Sequence, residues 1–303
     1  MPPKVSVIIP TYNYADSIHE TLDGVLQQSF QDFEVIVVDD GSSDDPGAVV
    51  SRYDSRFHYL RQSNQGPAAA RNAGVRKATG DFIAFLDHDD VWNELHLEKL
   101  LDCFARHPNA AMVFDDAEYF GVDAAPGTSH VDEKVANSML DTPVPIRRIW
   151  QCWVASMSVV MIKKTTFDAL GGLNPKIWGL DDLHFYLRLA AGAEVRFIGY
   201  VGCRKRLTPN NLLPQVGLKG SVDCLEELQR NHPEVVRAIG PMKYRRRLGR
   251  KQHKLGVTYL RRGDVQAARP VLWKAYRHNA FNLKYLWRFI QSTQRSDRVA
   301  YGK

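Results

Sequence analysis

The first hundred residues alternate short apolar runs with segments in which apolar residues recur every three or four positions. The runs are rich in β-branched and aromatic residues and are predicted strands: Val5–Ile9, Phe33–Val38, Phe57–Leu60, Phe82–Leu86 and Ala110–Phe114. The segments between them are predicted helices: Ser17–Ser29, a helix after Asp44, one after Gly66 and Pro67, and Glu94–Arg106. Nearly continuous apolar strands separated by helices indicate a parallel sheet that is covered on both faces.

The pattern changes after Phe120. Gly, Pro, Asp and Ser dominate between Phe120 and Val144, which predicts a long surface loop. Three further elements follow: a strand at Trp153–Ile162, a helix at Leu180–Ala191 and a strand at Glu194–Tyr200. From Val222 the chain is predicted to be helical to near its end. The expected fold class is therefore α/β, with a mostly parallel central sheet and a helical C-terminal extension.

Composition narrows the class of protein. The 303 residues are 44% hydrophobic and 24% charged, as in ordinary folded proteins. Four cysteines without metal-binding spacing predict reduced thiols and a cytoplasmic location. The N-terminal apolar run ends at Pro10 and does not have the form of a signal peptide. No uncharged apolar stretch approaches the roughly 20 residues that a membrane helix needs, so any attachment to the inner face of a membrane is expected to be peripheral.

The net charge of +6 is distributed unevenly along the chain. From Met242 to the end there are 17 Lys and Arg residues but only two acids, and the rest of the chain carries a net charge of −9. A basic tail of this kind can face anionic lipid headgroups, solvent or nucleic acid. No RNA- or DNA-binding motif accompanies it, so a membrane surface is favoured and nucleic acid is not expected.

Carboxylates follow two of the predicted strands. Asp39 and Asp40 come directly after one strand, and Asp87, Asp89 and Asp90 come after another. In open α/β sheets the ligand crevice lies at the carboxyl ends of the strands, and oxygen-only ligands suit Mg²⁺ or Mn²⁺. Acids are also ordinary turn residues, so either cluster alone leaves the choice open. Two clusters at two strand ends favour a site for a divalent metal ion.

Two segments carry a resemblance to a known family. VSVIIPTYNYADSIHETLDGVLQQSFQDFEVIVVDDGSSD (Val5–Asp44) and NQGPAAARNAGVRKATGDFIAFLDHDD (Asn64–Asp90) resemble the signature blocks of family 2 glycosyltransferases. With a later acidic helix start, the similarity covers roughly residues 4–212. The resemblance implies a GT-A fold, inversion at the anomeric carbon, and a nucleotide-sugar donor bound with Mg²⁺ or Mn²⁺.

The resemblance also implies roles at the nucleotide end of the donor site. Pro10, Thr11 and Tyr12 resemble the loop that holds the base, with the Tyr12 ring stacked on it. Asp40 matches the carboxylate that accepts from the pyrimidine N3–H. Arg71 matches the basic residue near the base and the diphosphate. Without the resemblance, Tyr12 would be read as a turn aromatic and Arg71 as a solvated helix charge.

At the reacting end, Asp87 and Asp89 match the DxD motif, in which the first acid faces the ribose and metal region and the second binds the metal. Asp182 matches the general base at a helix start, where Asp181 replaces the family's usual Glu. Acids at a helix start also serve as caps, and capping would lower the pKa of Asp182. Arg206 stands where many members have His, which keeps a role on the pyrophosphate but removes a metal ligand.

The resemblance predicts a catalytic domain at 1–220, with a donor half at about 1–115 and an acceptor half at about 116–220. The basic extension at 221–303 has the spacing of a tetratricopeptide helical pair, carried by Leu255, Gly256, Tyr259, Ala268, Leu272 and Ala275. The expected function is transfer of a sugar, from a UDP-linked donor, to an acceptor hydroxyl in cell-surface polysaccharide or glycan synthesis.

Two other functions compete with this one. A nicotinamide-dependent oxidoreductase needs GxGxxG after the first strand, but the turn there is Pro-Thr-Tyr-Asn-Tyr. The other is a catalytically degenerate protein that binds a nucleotide-sugar or acts as a scaffold. The retained Asp40, Asp89 and Asp182 argue against it, but the departure from the family pattern at Arg206 leaves it open. The expected partners are a nucleotide-sugar donor, a glycan or lipid-linked glycan acceptor and an anionic membrane surface, with a homo-oligomer left open.

Overall fold

The computed structural model describes residues 2–121, 127–152, 155–207, 213–280 and 282–300, without side chains at 213–216 and 293–300. The chain divides into two compact units, Met1–Asn211 and Leu212–Lys303. The predicted domain boundary at 220/221 falls inside a helix that begins at Leu213, so the predicted helix start at Val222 is wrong. That helix contains a kink at Gly217, where φ is 59° and ψ is −170°.

The first unit is built on one twisted sheet with the strand order β3-β2-β1-β4-β7-β6-β8-β5. Its strands are β1 (Val5–Thr11), β2 (Phe33–Asp39), β3 (Phe57–Arg61), β4 (Phe82–Phe85), β5 (Val91–Trp92), β6 (Ala110–Gly121), β7 (Val160–Lys163) and β8 (Glu194–Leu207). The four strands from β3 to β4 are parallel, and β6 pairs in parallel with β8. β7 is antiparallel to both of its neighbours, and β5 is antiparallel to β8. The sheet is thus mostly parallel, as expected.

Helices connect these strands and form the second unit. In the first unit they are α1 (Ile18–Leu26), α2 (Pro46–Val50), α3 (Pro67–Lys77), α4 (His96–Arg106), α5 (Glu133–Asn137), α6 (Ile146–Cys152), α7 (Lys164–Ala169) and α8 (Asp181–Ala190). In the second unit they are α9 (Leu213–Asn231), α10 (Pro233–Ile239), α11 (Pro241–Arg261), α12 (Val265–His278) and α13 (Leu283–Ala300). Within the described residues, none of these helices combines the length and apolarity needed to cross a bilayer.

The largest departures from the sequence predictions lie in the second half of the first unit. The strand predicted at Trp153–Ile162 begins only at Val160, because Met157–Val159 forms a 3₁₀ turn, and Trp153 lies outside the described residues. β6 and β8 are longer than predicted, since they pair with each other as far as Gly121 and Leu207. The predicted loop between Phe120 and Val144 contains α5. These features depend on pairing between distant segments.

Close packing on the sheet fixes the position of α3. Both β1 and β2 are buried along their whole length. A Cβ added at Gly74 of α3 would lie 2.5 Å from Ile8 Cγ2 and 3.2 Å from Val38 Cγ2, so only Gly allows this approach. The same helix carries Arg71 at its buried side.

A helical hairpin forms part of the second unit. Gly263, with φ of +79°, ends α11, and Asp264 caps α12 by accepting from the Ala267 amide at 3.0 Å. A Cβ at Gly256 would lie 2.5 Å from Leu272 Cγ, so the two helices pack closely. Leu260, Ala268 and Leu272 form a small buried cluster at this contact.

Candidate active site

Three donors fix the carboxylate of Asp40 at the carboxyl end of β2. Its Oδ1 accepts from Gln62 Nε2 at 2.7 Å and from the Gln65 amide at 2.9 Å, and its Oδ2 accepts from the Gly66 amide at 2.7 Å. Asp40 is 4% exposed. Each carboxylate oxygen has two lone pairs, so this fixed group retains capacity to accept from the N–H of a base.

The Tyr12 ring is presented to solvent by a loop that is itself held in place. Tyr12 is 47% exposed. The next residue, Asn13, has a φ of 55°, donates its amide to Ser42 Oγ at 3.0 Å and accepts from the Ser43 amide at 2.8 Å. The loop after β1 is therefore tied to the loop after β2, and an aromatic face is available for stacking.

Pro10 and Thr11 shape this edge through their backbone. Both are buried, and Thr11 is 2% exposed. The Thr11 carbonyl accepts from the Asp40 amide at 2.9 Å, and the Pro10 carbonyl accepts from His88 Nδ1 at 3.1 Å. The side chain of Thr11 thus faces the protein interior.

Two cations neutralise Asp87 at the end of β4. Arg71 Nη2 lies 2.6 Å from Asp87 Oδ1, and Lys205 Nζ lies 3.6 Å from Oδ2. Burial favours the neutral acid, but these two positive charges outweigh it and hold the pKa of Asp87 below its usual range. Asp87 is therefore an ionised carboxylate already paired with protein cations.

The pKa of Asp89, two residues further on, is shifted in the opposite direction. Burial and the negative charges of Asp90 and Asp87 raise the pKa of Asp89 to about 7. Asp90 itself is fully buried, and its Oδ2 accepts from Ser158 Oγ at 2.6 Å and from Lys205 Nζ at 2.8 Å. A carboxylate whose charge is disfavoured by neighbouring acids fits a hard divalent cation, so Asp89 suits Mg²⁺ or Mn²⁺ better than Asp87 does.

Arg71 connects this cluster to the start of α8. Its Nη1 lies 3.2 Å from Asp181 Oδ2, while its Nη2 holds Asp87. Arg71 is 8% exposed and Asp181 is 4% exposed. One buried guanidinium therefore fixes the DxD segment and the proposed base helix relative to each other.

Asp182 lies beside this ion pair in the first turn of α8. Its Oδ1 accepts from the Leu183 amide at 2.5 Å. The expectation that capping lowers its pKa is wrong, because burial and the charge of Asp181 raise the pKa of Asp182 to about 8. The N-cap position is occupied by Leu180, so Asp182 is not the capping residue. A higher pKa makes the ionised carboxylate a stronger proton acceptor.

Arg206 lies at the same edge of the sheet. Its Nε donates to the Asp89 carbonyl at 3.2 Å, and its Nη2 donates to Glu20 Oε2 at 2.6 Å. The guanidinium also lies 4.5 Å from the centroid of the Phe120 ring. Arg206 is thus next to the predicted metal-binding acid, with its cation already engaged by Glu20 and Phe120.

Sequence reasoning missed two residues of this cluster. Lys205 bridges Asp87 and Asp90, and Ser158 donates to Asp90 and accepts from the Asp87 amide at 3.1 Å. Lys205 belongs to the segment singled out for Arg206, so its charge was a usable signal. Ser158 lies in a 3₁₀ turn that no sequence pattern marked.

Known structures with similar folds bind nucleotide-sugars. S. aureus TarS in complex with UDP-GlcNAc has a TM-score of 0.62 at 18% identity, over 91% of this chain and 92% of that chain. The mannosyltransferase PcManGT from Pyrobaculum calidifontis, in complex with GDP-Man and Mn²⁺, has a TM-score of 0.61 at 20% identity, over 99% of this chain and 81% of that one. At these identities the likeness establishes the fold, which is of the GT-A type.

Sequence comparison gives the family. The putative teichuronic acid biosynthesis glycosyltransferase TuaG of Bacillus subtilis is 40% identical over 129 residues, which is 41% of this chain and 50% of TuaG. Three uncharacterized glycosyltransferases are matched over only 14% to 61% of their own length. The model of glycosyl transferase family 2 matches residues 6–157, which is half of the chain. The chain therefore belongs to glycosyl transferase family 2.

Proposed function

We propose that the protein transfers a sugar from a UDP-linked donor to an acceptor hydroxyl, with inversion at the anomeric carbon. The observation that carries the proposal is the buried Arg71, which lies 2.6 Å from Asp87 and 3.2 Å from Asp181. Arg71 therefore fixes the end of β4 to the start of α8, which holds Asp182. The diphosphate is expected at this end of β4. A donor site and a base at one sheet edge are what group transfer requires.

The nucleotide is assigned to the edge formed by the loops after β1 and β2. The exposed Tyr12 ring offers a stacking face, and the fixed Asp40 carboxylate offers an acceptor for a pyrimidine N3–H. The UDP-GlcNAc complex of the structural neighbour TarS supports this assignment. The GDP-Man complex of PcManGT makes GDP the comparison nucleotide in any binding test.

A divalent metal ion, Mg²⁺ or Mn²⁺, is assigned to Asp89, with Asp87 beside it. When bound, such an ion offsets the negative charge that develops on the diphosphate leaving group. Arg71 and Lys205 keep Asp87 ionised and in place, and Arg206 holds the backbone carbonyl of Asp89. These residues thus orient the acidic segment.

Asp182 is the proposed general base. Its carboxylate accepts the proton of the acceptor hydroxyl while that oxygen attacks the anomeric carbon. The bond from this carbon to the diphosphate oxygen breaks on the opposite face, which inverts the configuration. A pKa of about 8 for Asp182 makes proton transfer more favourable than an ordinary carboxylate would.

The acceptor is assigned as a cell-surface polysaccharide or glycan under synthesis, and the similarity to TuaG supports this assignment.

We also assign the C-terminal unit to an anionic membrane surface. Leu283, Trp287 and Ile290 lie on one face of α13 and are 75%, 53% and 41% exposed. Lys284 and Arg288 lie next to this stripe. Exposed apolar residues flanked by basic ones are typical of helices that lie at a lipid interface.

Vesicle co-sedimentation tests the membrane assignment. The full chain is expected to bind anionic vesicles at low salt, to bind neutral vesicles less, and to lose binding at high salt. Trp287→Ser/Ile290→Ser should weaken this binding, while Trp178→Ser, at an exposed residue of the other unit, should not. Equal binding by both variants would contradict the assignment.

A nucleotide-binding titration tests the donor and metal assignment. UDP and GDP are titrated into the wild-type protein with Mn²⁺ and with EDTA, and into Asp89→Asn. We expect UDP to bind with Mn²⁺ and to lose most of its affinity with EDTA or in Asp89→Asn. The exposed-acid variant Asp168→Asn serves as the control. Unchanged Mn²⁺-dependent affinity in Asp89→Asn would remove Asp89 from the site.

A further inference from the structure

The C-terminal unit has an open surface cavity of about 350 Å³ where α9, α11 and α12 meet, and its four cationic side chains are exposed. Four cationic side chains line it, together with His278 and one acid: Arg230, Arg245, Lys274, Arg277, His278 and Glu226. Its volume is at the lower end of the range for small-molecule sites. The proposed transfer reaction uses none of these residues.

The positive charge in this cavity exceeds what its own acid balances. Both oxygens of Glu226 are held by Lys274 Nζ, at 3.0 and 2.9 Å, and Oε1 also accepts from Gln252 Nε2 at 2.8 Å. Among the residues that the structure describes, no carboxylate lies within ion-pair distance of Arg230, Arg245 or Arg277. Three exposed guanidinium groups therefore line one open pocket with no described carboxylate within ion-pair distance.

The pKa of His278 is affected by the same excess of positive charge. Burial and the nearby positive charge of Arg245 lower the pKa of His278. Its Nδ1 is engaged with Gln252 Oε1 at 2.8 Å, so the ring is held in place. Burial penalises either sign of charge at this ring, whereas the positive charges of Arg245 and Arg277, which add to the lowering, would attract an anion.

We propose that this cavity is a binding site for an anionic ligand that carries phosphoryl groups, separate from the donor site. Guanidinium groups pair with phosphoryl oxygens through parallel hydrogen bonds, which arginines without a described carboxylate in ion-pair distance can supply. A diphosphate or a sugar phosphate is the size of ligand that this cavity takes. The same chemistry is offered by a free phosphate compound or by the phosphate of a lipid headgroup.

The competing role of these residues is structural. Arg230 and Arg277 lie in the last turns of α9 and α12, where positive side chains offset the helix dipole. Arg245 Nη2 donates to the Arg277 carbonyl at 3.3 Å. A purely structural role predicts that their loss lowers stability and leaves anion affinity unchanged.

Titration of inorganic pyrophosphate into the full chain, with EDTA and at low salt, separates the two roles. Arg245→Gln/Arg277→Gln is expected to bind at least about tenfold more weakly than wild type, because two charged hydrogen-bond donors to the phosphoryl oxygens are lost. Arg261→Gln/Arg262→Gln, with the same charge change at the C-terminal end of α11, should bind as wild type does. Pyrophosphate bound at the donor site is common to all three proteins and gives no difference.

Vesicles that contain phosphatidic acid form the second arm of the experiment. Pyrophosphate binding that needs Arg245 and Arg277 supports a soluble phosphoryl ligand, and vesicle binding alone that needs them supports a lipid phosphate. The proposal is overturned if Arg245→Gln/Arg277→Gln binds both probes as wild type does. It is also overturned if the control variant loses as much affinity, because the attraction would then be a general charge effect.

Discussion

Replacing Arg71 by Met removes the cation that holds Asp87 and Asp181. The side chains of Arg71 and Asp181 are 10% and 6% exposed, whereas that of Asp87 is 26% exposed and keeps Lys205 at 3.6 Å. The buried Asp181 carboxylate, which loses this cation, is therefore destabilised more than Asp87. Loss of one partner of a buried ion pair costs about 3–5 kcal/mol. For a unit of this size, each kcal/mol lowers Tm by about 2–4 °C, so Arg71→Met should lower Tm by roughly 6–20 °C.

Calorimetric unfolding at several pH values tests this reasoning. Without Arg71 the pKa of Asp181, already raised by burial, rises further, so the folded variant binds a proton that the unfolded chain releases. Lowering the pH from 7 towards 5 should therefore narrow the gap between variant and wild type. Arg76→Met, at an exposed position of the same helix, is the matched control and should change Tm little.

A second substitution tests the electrostatic role of Arg71 most sharply. Arg71→Met/Asp181→Asn removes the uncompensated charge and should recover about half of the lost stability or more, because contacting residues are not additive. If Asp181→Asn gives no recovery and the gap is the same at pH 5 and pH 7, the electrostatic role of Arg71 is wrong. The loss would then come from packing alone.

Two further predictions follow from buried groups. Since the folded pKa of Asp182 is about 8, kcat/KM should rise with pH towards 8. The same shift should make wild-type stability fall from about pH 4 to pH 8, where the folded state holds the proton, and Asp182→Asn should stabilise the metal-free protein at pH 8. If neither kcat/KM nor stability changes with pH in this range, the raised pKa of the buried Asp182 is wrong. Gly202→Ala should destabilise by about 1–3 kcal/mol or more in denaturant titrations, because its Cβ would lie 1.7 Å from Asp115 Oδ2. Gly192→Ala meets nothing within 4 Å and should be tolerated.

The sequence predicted the parallel core well because each strand there is a buried apolar run followed by its own helix. It also placed Asp40 and Asp89 at strand ends, since a parallel sheet brings those ends to one edge. The ion pairs could not be read in this way. Arg71 meets Asp181 across 110 positions, and Lys205 meets Asp90 across 115. Such contacts depend on how β8 and α8 return to the sheet.

The pKa of Asp182 was mispredicted for a related reason. A helix start alone suggests a lowered value, since backbone amides stabilise the charged form. Burial and the adjacent Asp181 reverse that effect, and neither the depth of burial nor the orientation of Asp181 is encoded locally. The lengths of β6 and β8 were missed because their mutual pairing, not their own pattern, extends them.

We propose above all that this family 2 chain is an active transferase in which Asp182 accepts a proton. The most direct measurement compares wild type, Asp182→Asn and the control Asp168→Asn for release of UDP from a UDP-sugar with Mn²⁺, alongside donor affinity. We predict that Asp182→Asn keeps donor affinity near that of wild type and loses about 10²–10⁴-fold in turnover, while Asp168→Asn is unchanged. Turnover in Asp182→Asn equal to that of wild type, or no UDP release by wild type with any donor that it binds, would contradict the claim.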